Sequence, residues 1–142
     1  MSSAAKPLYD RLALIGIGLI GSSIARVARR EGLAGRIVAA APSAATRETA
    51  LRLGLVDAMH EDAAAAAAGA DLVIICTPIG VYGDVAVRIA PHLKPGATLS
   101  DVGSVKQAVV RDVGPLVPEA VHFIPGHPVA GTEQSGPAAG FA

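Results

Sequence analysis

The run Asp71-Leu72-Val73-Ile74-Ile75-Cys76 is apolar at every position after its first residue. A strand with one wet face alternates apolar and polar side chains. A strand without alternation is buried on both faces, which is the signature of a parallel sheet covered by helices on both sides. Leu12-Ala13-Leu14-Ile15 repeats the pattern, and further strands are read at Arg36 to Ala40, Thr98 to Asp101 and Val121 to Ile124. Helix-like stretches separate them. In Ile20 to Glu31, Ile20, Ile24, Val27 and Ala28 share one face while Arg26, Arg29 and Arg30 turn away from it. Ala44 to Leu53 reads as a second helix, Val56 to Met59 as a short strand, and Asp62 to Ala68 as a short helix closed by Gly69. Thr77-Pro78 ends the long strand, and Val81 to Ile89 forms a helix stopped before Pro91. Val105, Ala108, Val109, Val113 and Leu116 define a last helical face. This alternation predicts an α/β fold: a doubly wound, mostly parallel sheet with right-handed crossovers.

With 142 residues the chain suits one domain, 1–142, in which 1–11 form an N-terminal tail. The hydrophobic share is 51%, but it includes the alanine run 63–68, so the core is expected to be built from small side chains. Twelve basic residues balance twelve acidic ones, leaving no global field to attract nucleic acid or an anionic membrane. Aromatic residues make up 3%, too few for base-stacking platforms. A single cysteine, Cys76, excludes a disulfide framework and a multi-cysteine zinc site, so no metal is expected. Residues 1–11 lack the apolar stretch of a signal peptide, and no apolar run approaches the roughly 18 residues that span a bilayer. The expectation is a cytoplasmic protein with a small-molecule partner.

Gly16-Ile17-Gly18-Leu19-Ile20-Gly21 follows the first strand and opens the first helix. That context turns a common glycine string into a dinucleotide-binding fingerprint. Gly16 permits the tight turn, Gly18 lets the backbone approach a pyrophosphate, and Gly21 lets the helix pack on the strand. The free N–H groups at Leu19, Ile20 and Gly21 then face the phosphates. A plain strand-to-helix turn is the bland alternative. About twenty residues on, an NAD site usually carries a carboxylate for the ribose. Here the stretch is Ala39-Ala40-Ala41-Pro42-Ser43, with none. Ser43 and Arg47 either receive the 2′-phosphate of NADP, or merely cap the second helix and face solvent. NAD or NADP therefore stays open. Thr77 and Pro78 close the long strand at its carboxyl end, where ligands of open parallel sheets sit; Cys76 reads as core.

Two further strand ends carry chemistry. In Asp101-Val102-Gly103-Ser104-Val105-Lys106, Ser104 and Gln107 have the spacing of a capping box, and the Ser104 hydroxyl also points toward the cleft of the glycine turn. Lys106 reads as a solvated first-turn residue or as a cation for an anionic substrate. Gly126-His127-Pro128-Val129-Ala130-Gly131-Thr132-Glu133 follows the last strand. His60, His92 and His122 lie in ordinary contexts, whereas glycines and a proline fix the backbone around His127. A histidine so placed is suited to take a hydroxyl proton near neutral pH.

Those segments together resemble the Rossmann domain of the prephenate/arogenate (cyclohexadienyl) dehydrogenase family of tyrosine biosynthesis. The resemblance runs from Leu12 onward and rests on Gly16 to Ser23, Asp101 to Lys106 and Gly126 to Glu133. It implies oxidative decarboxylation of prephenate or arogenate to 4-hydroxyphenylpyruvate or tyrosine. It also implies His127 as the base on the ring hydroxyl, Ser104 beside it, and Thr132 and Glu133 at the substrate mouth. Family members that use NAD often carry an acidic residue where Ala41 stands. The family also has a helical C-terminal domain that forms a homodimer. The chain looks truncated before it and is expected to turn over poorly alone. Two alternatives remain. A β-hydroxyacid dehydrogenase would share the glycines but use a lysine on a later helix. A non-catalytic dinucleotide-binding module would leave Ser104 and His127 unexplained.

Overall fold

A computed structural model describes residues 5–128 and 136–141. Six strands form one sheet: β1 (Tyr9–Ile15), β2 (Ala34–Ala40), β3 (Ala58–His60), β4 (Leu72–Ile75), β5 (Thr98–Asp101) and β6 (His122–Ile124). Their spatial order is β3-β2-β1-β4-β5-β6, and every pairing is parallel. The helices are α1 (Leu19–Arg30), α2 (Ala44–Arg52), α3 (Ala63–Ala67), α4 (Tyr82–Ile89) and α5 (Lys106–Val113). This is the doubly wound Rossmann arrangement expected from the apolar runs.

Two cores flank the sheet, and the strand alternation decides which side chain enters which. Leu12, Leu14, Ile37 and Ala39 face α1 and α2, where Ala25, Ala28 and Ala50 are buried. Ala13, Ile15, Val38, Val73, Ile75 and Leu99 face α3, α4 and α5. Alanine dominates the contact layers, as the composition suggested, so helices can approach the sheet closely. α3 is short because its stop is local. Asp62 caps its start by accepting the Ala64 N–H, and Gly69 follows at φ +73°.

Element ends differ from expectation where a neighbour is missing on one side. β1 begins at Tyr9, not Leu12, so the tail is shorter than 1–11. Its first residues pair only with β2, because β4 joins at Leu12↔Leu72. With no strand on their other side, these positions tolerate Asp10 and Arg11. Asp71 ends the β1–β4 ladder by accepting the Arg11 N–H at 2.8 Å and pairing with Lys94. After α5, Gly114–Leu116 forms a separate 3-10 turn at Pro115, shortening the expected helix. Residues 136–141 pack against the body of the domain. A 3-10 turn at Pro137–Ala139 packs on α1, with Arg26 donating to the Pro137 carbonyl and the Phe141 N–H donating to Ser23.

Candidate functional site

β1 is bordered by β2 and β4, whose chain connections leave in opposite directions, so a crevice opens at its carboxyl end. The glycine turn lies there, and its three glycines meet different surroundings. Gly16 adopts φ +101°, and a Cβ on it would stand 2.9 Å from the Cys76 carbonyl carbon and oxygen. A Cβ on Gly21 would stand 2.5 Å from the Gly16 carbonyl oxygen. Protein backbone therefore accounts for both. A Cβ on Gly18 would meet no atom of the described residues within 4 Å. Nothing among the described residues demands a glycine at that position.

Gly18 is also the N-cap of α1, and no side chain caps the helix there. The first turn of a helix leaves its N–H groups without intrahelical partners, so those of Leu19, Ile20 and Gly21 are available to an anion. The first turn carries no acidic residue to repel one. Across the crevice, Thr77 follows β4, and its buried hydroxyl has no hydrogen-bond partner among the described residues. Next to it, burial pushes the Cys76 thiol up to about 12, helped by the negative Asp101 nearby. That thiol stays protonated and packs as core, as expected. An open glycine, an uncapped helix start and an orphaned hydroxyl fit a dinucleotide whose pyrophosphate lies over Gly18.

At the end of β2, Ser43 caps α2 by accepting the Thr46 N–H at 3.3 Å. Arg47 is not simply solvated: it donates to the Ala41 and Pro42 carbonyls at 2.8 and 2.9 Å. That holds its guanidinium at the loop between β2 and α2. The buried Ala41 brings no carboxylate there.

The carboxyl ends of β5 and β6 are joined by a residue the sequence reading passed over. Asp101, the last residue of β5, is 2% exposed. It accepts N–H groups of Gly103 at 2.8 Å and Gly126 at 3.2 Å, and the Lys106 ammonium at 2.5 Å. Lys106 also donates to the Gly126 carbonyl. Two of its three N–H donors are thus engaged internally, while its side chain stays 34% exposed. The capping box is not formed either: Val105 is the N-cap of α5, without a side-chain bond, and Ser104 is exposed. The cause is Asp101, which draws the Gly103 N–H and Lys106 toward β5 and starts the helix at Lys106. An aspartate at the carboxyl end of a strand, directly before a Val-Gly-Ser turn, was the available sequence signal.

His127 is exposed and follows the clamped Gly126 directly. Its neighbour Pro128 lines a mostly apolar groove of about 410 Å³ that runs along α1 from Leu19 and Ile20 to Leu33 and Tyr9. Pro78 is exposed beside Thr77. Thr132 and Glu133 lie outside the described residues. Among the described residues no group of three His, Cys, Asp or Glu is placed to hold a metal, and no helix is long and apolar enough to cross a membrane.

Comparison with known proteins agrees with this architecture. Residues 24–142 match the family described as prephenate dehydrogenase, nucleotide-binding domain. The chain is 38% identical over 135 residues to the cyclohexadienyl dehydrogenase of Zymomonas mobilis, covering 95% of this chain and 46% of that protein. It is 34% identical to the prephenate dehydrogenase of Bacillus subtilis, covering 93% and 36%. It therefore spans less than half the length of these relatives. Among solved structures, prephenate dehydrogenase from Aquifex aeolicus, in complex with hydroxyphenyl propionate and NAD+, superposes with a TM-score of 0.83 at 28% identity. That match covers 99% of this chain, so it takes in the glycine turn, and 48% of the other. Arogenate dehydrogenase from Synechocystis gives 0.82 at 33%, covering 92% and 45%. The chain belongs to the family of prephenate dehydrogenase nucleotide-binding domains.

Proposed function

We propose that this chain is the cofactor-binding part of a dehydrogenase that oxidatively decarboxylates prephenate or arogenate with NAD or NADP. The observation that carries the reading is the His127 loop, tied to the end of β5 and leaving the same edge of the parallel sheet as the glycine turn, whose N–H groups await a pyrophosphate. Family membership supports it, as does the NAD+ held by the Aquifex relative. On this reading the partner is a small molecule, the working protein is a cytoplasmic homodimer, and Thr132 and Glu133 lie at the substrate mouth.

In this assignment Gly16, Gly18, Leu19, Ile20 and Gly21 hold the pyrophosphate, and Thr77 and Pro78 border the nicotinamide. Ser43 and Arg47 meet the adenosine ribose. When bound, the oxidised nicotinamide supplies a hydride acceptor. His127 removes the proton of the ring hydroxyl, which drives the carbon-bound hydrogen off as hydride. Loss of carbon dioxide leaves its electron pair to aromatise the ring, and the proton held by His127 returns to the phenolate oxygen. Ser104 orients the hydroxyl and the base. With no carboxylate at Ala41 and with Arg47 beside it, the ribose end accepts a 2′-phosphate, so NADP is tolerated.

The test is to supply the protein containing this chain with prephenate, arogenate or a 3-hydroxyacid, each with NAD+ or NADP+. Reduced nicotinamide and released carbon dioxide are both followed. Equal amounts from a cyclohexadienyl substrate are expected. Reduction driven by the 3-hydroxyacid without carbon dioxide would move the chain to the β-hydroxyacid dehydrogenases.

A further inference from the structure

We propose that Asp101 and Lys106 are positioning residues for His127, acting through the peptide of Gly126. The proposal rests on the reading of His127 as the base. The two side chains grip Gly126 from both ends. Its N–H goes to one Asp101 oxygen at 3.2 Å, and its carbonyl, which belongs to the peptide leading into His127, accepts from Lys106. The other Asp101 oxygen takes Lys106 at 2.5 Å and the Gly103 N–H at 2.8 Å. One buried carboxylate thereby ties three segments together: the end of β5, the start of α5 and the loop after β6.

The backbone is fitted to this arrangement. A Cβ on Gly126 would stand 3.0 Å from the Asp101 carbonyl oxygen, and one on Gly103 would stand 3.0 Å from Oδ2 of Asp101. A side chain at Gly126 would crowd the end of β5, and one at Gly103 would crowd the carboxylate itself. The ion pair is poorly explained as a stabiliser alone. Asp101 is buried, but the Lys106 side chain is 34% exposed, so solvent screens the pair and its net contribution to stability is small. What the pair supplies is a fixed direction for one peptide group. A base must be held within about half an ångström of its working position, and roughly 1 Å of misplacement costs on the order of 10²-fold in rate. His127 is exposed, so packing does not supply that restraint. The clamp on the preceding carbonyl does.

The experiment compares the parent protein with Lys106→Met, Lys106→Arg and the double variant Asp101→Asn/Lys106→Met. The double variant removes both charges, so no buried charge is left unpaired. In Lys106→Met, kcat is expected to fall about 10- to 100-fold, while KM and the cofactor dissociation constant stay within about threefold. Lys106→Arg recovers part of the rate. The double variant recovers the unfolding midpoint but not the rate. A second arm needs no turnover: with labelled histidine, the His127 ring resonances shift or broaden in Lys106→Met, while those of His60, His92 and His122 hold. This arm separates the proposal from the functional reading. Should the parent fail to act on cyclohexadienyl substrates, the ring resonances still decide whether the clamp governs the loop. Unchanged His127 resonances, a kcat within twofold of the parent in Lys106→Met, or a rate restored in the double variant would overturn it.

Discussion

Gly18 and Gly21 lie three residues apart in one turn, yet alanine should act on them in opposite ways. At Gly21 the added Cβ would stand 2.5 Å from the Gly16 carbonyl oxygen and 3.4 Å from the Cys76 Cβ. Both neighbours are held by the sheet, since the Gly16 N–H donates to the Ala40 carbonyl and the Cys76 N–H to the Ile15 carbonyl. Relief requires α1 to move off the strand. Overpacking of this kind costs about 1–3 kcal/mol, and contact with fixed backbone places it near the top of that range. Helix propensity returns about 1 kcal/mol. The net loss is about 2 kcal/mol, or roughly 4–8 °C in the unfolding midpoint for a domain of this size. At Gly18 the Cβ meets no atom of the described residues within 4 Å. Alanine is a poorer N-cap than glycine by about 0.5–1 kcal/mol, and the stiffer unfolded chain offsets a similar amount. Stability should therefore hold within about 1 kcal/mol. Cofactor binding should reverse the order of sensitivity: Gly18→Ala is expected to weaken it more than tenfold, about 1.4 kcal/mol, and Gly18→Val to abolish it. Thermal unfolding and calorimetric titration with NAD+ and NADP+ read the two effects separately. A Gly18→Ala protein as destabilised as Gly21→Ala, or a Gly18→Val protein with parental affinity, would refute the division of labour.

Further outcomes follow from other contacts. Arg47→Ala should weaken NADP+ binding by about tenfold or more and NAD+ binding much less, measured by titration; equal effects would remove Arg47 from the ribose site. His127→Asn should lower turnover about 10²- to 10⁴-fold, with Ser104→Ala costing less, in steady-state kinetics of the protein containing this chain. Asp71 has its pKa lowered, first by the hydrogen bond from Lys94 and then by the Arg11 N–H. A depressed carboxylate stabilises the fold above its unfolded pKa, near 3.9, and that contribution is lost as pH falls below it toward the folded value. Urea midpoints between about pH 6 and pH 2.5 should thus fall less steeply in Asp71→Asn than in the parent.

The fold was legible because its signals are local. Unbroken apolar runs at Leu12 to Ile15 and Leu72 to Ile75 require cover on both faces, and only helices alternate with them. The glycine turn was legible for the same reason, since strand, turn and helix are contiguous. The Asp101 clamp was not. Its partners Gly103 and Lys106 are near in sequence, but Gly126 lies 25 residues on and meets Asp101 only because β5 and β6 pair. The same long-range contact explains why Ser104 and Gln107 have capping-box spacing without forming a box: the carboxylate dictates where α5 begins. Tyr9 to Arg11 escaped notice because one-sided pairing removes the apolar signature that marks the rest of β1.

The central claim is that a nicotinamide dinucleotide lies over Gly18 with its reactive end toward the His127 loop. Titrating NAD+ and NADP+ into the isotopically labelled chain, and following its amide and histidine ring resonances, tests this directly. The account predicts saturable shifts at Gly16 to Gly21, Thr77 and His127, with α3 and the outer face of α4 unmoved. Saturation that leaves the glycine turn unshifted, or no saturable binding of either cofactor, would contradict it.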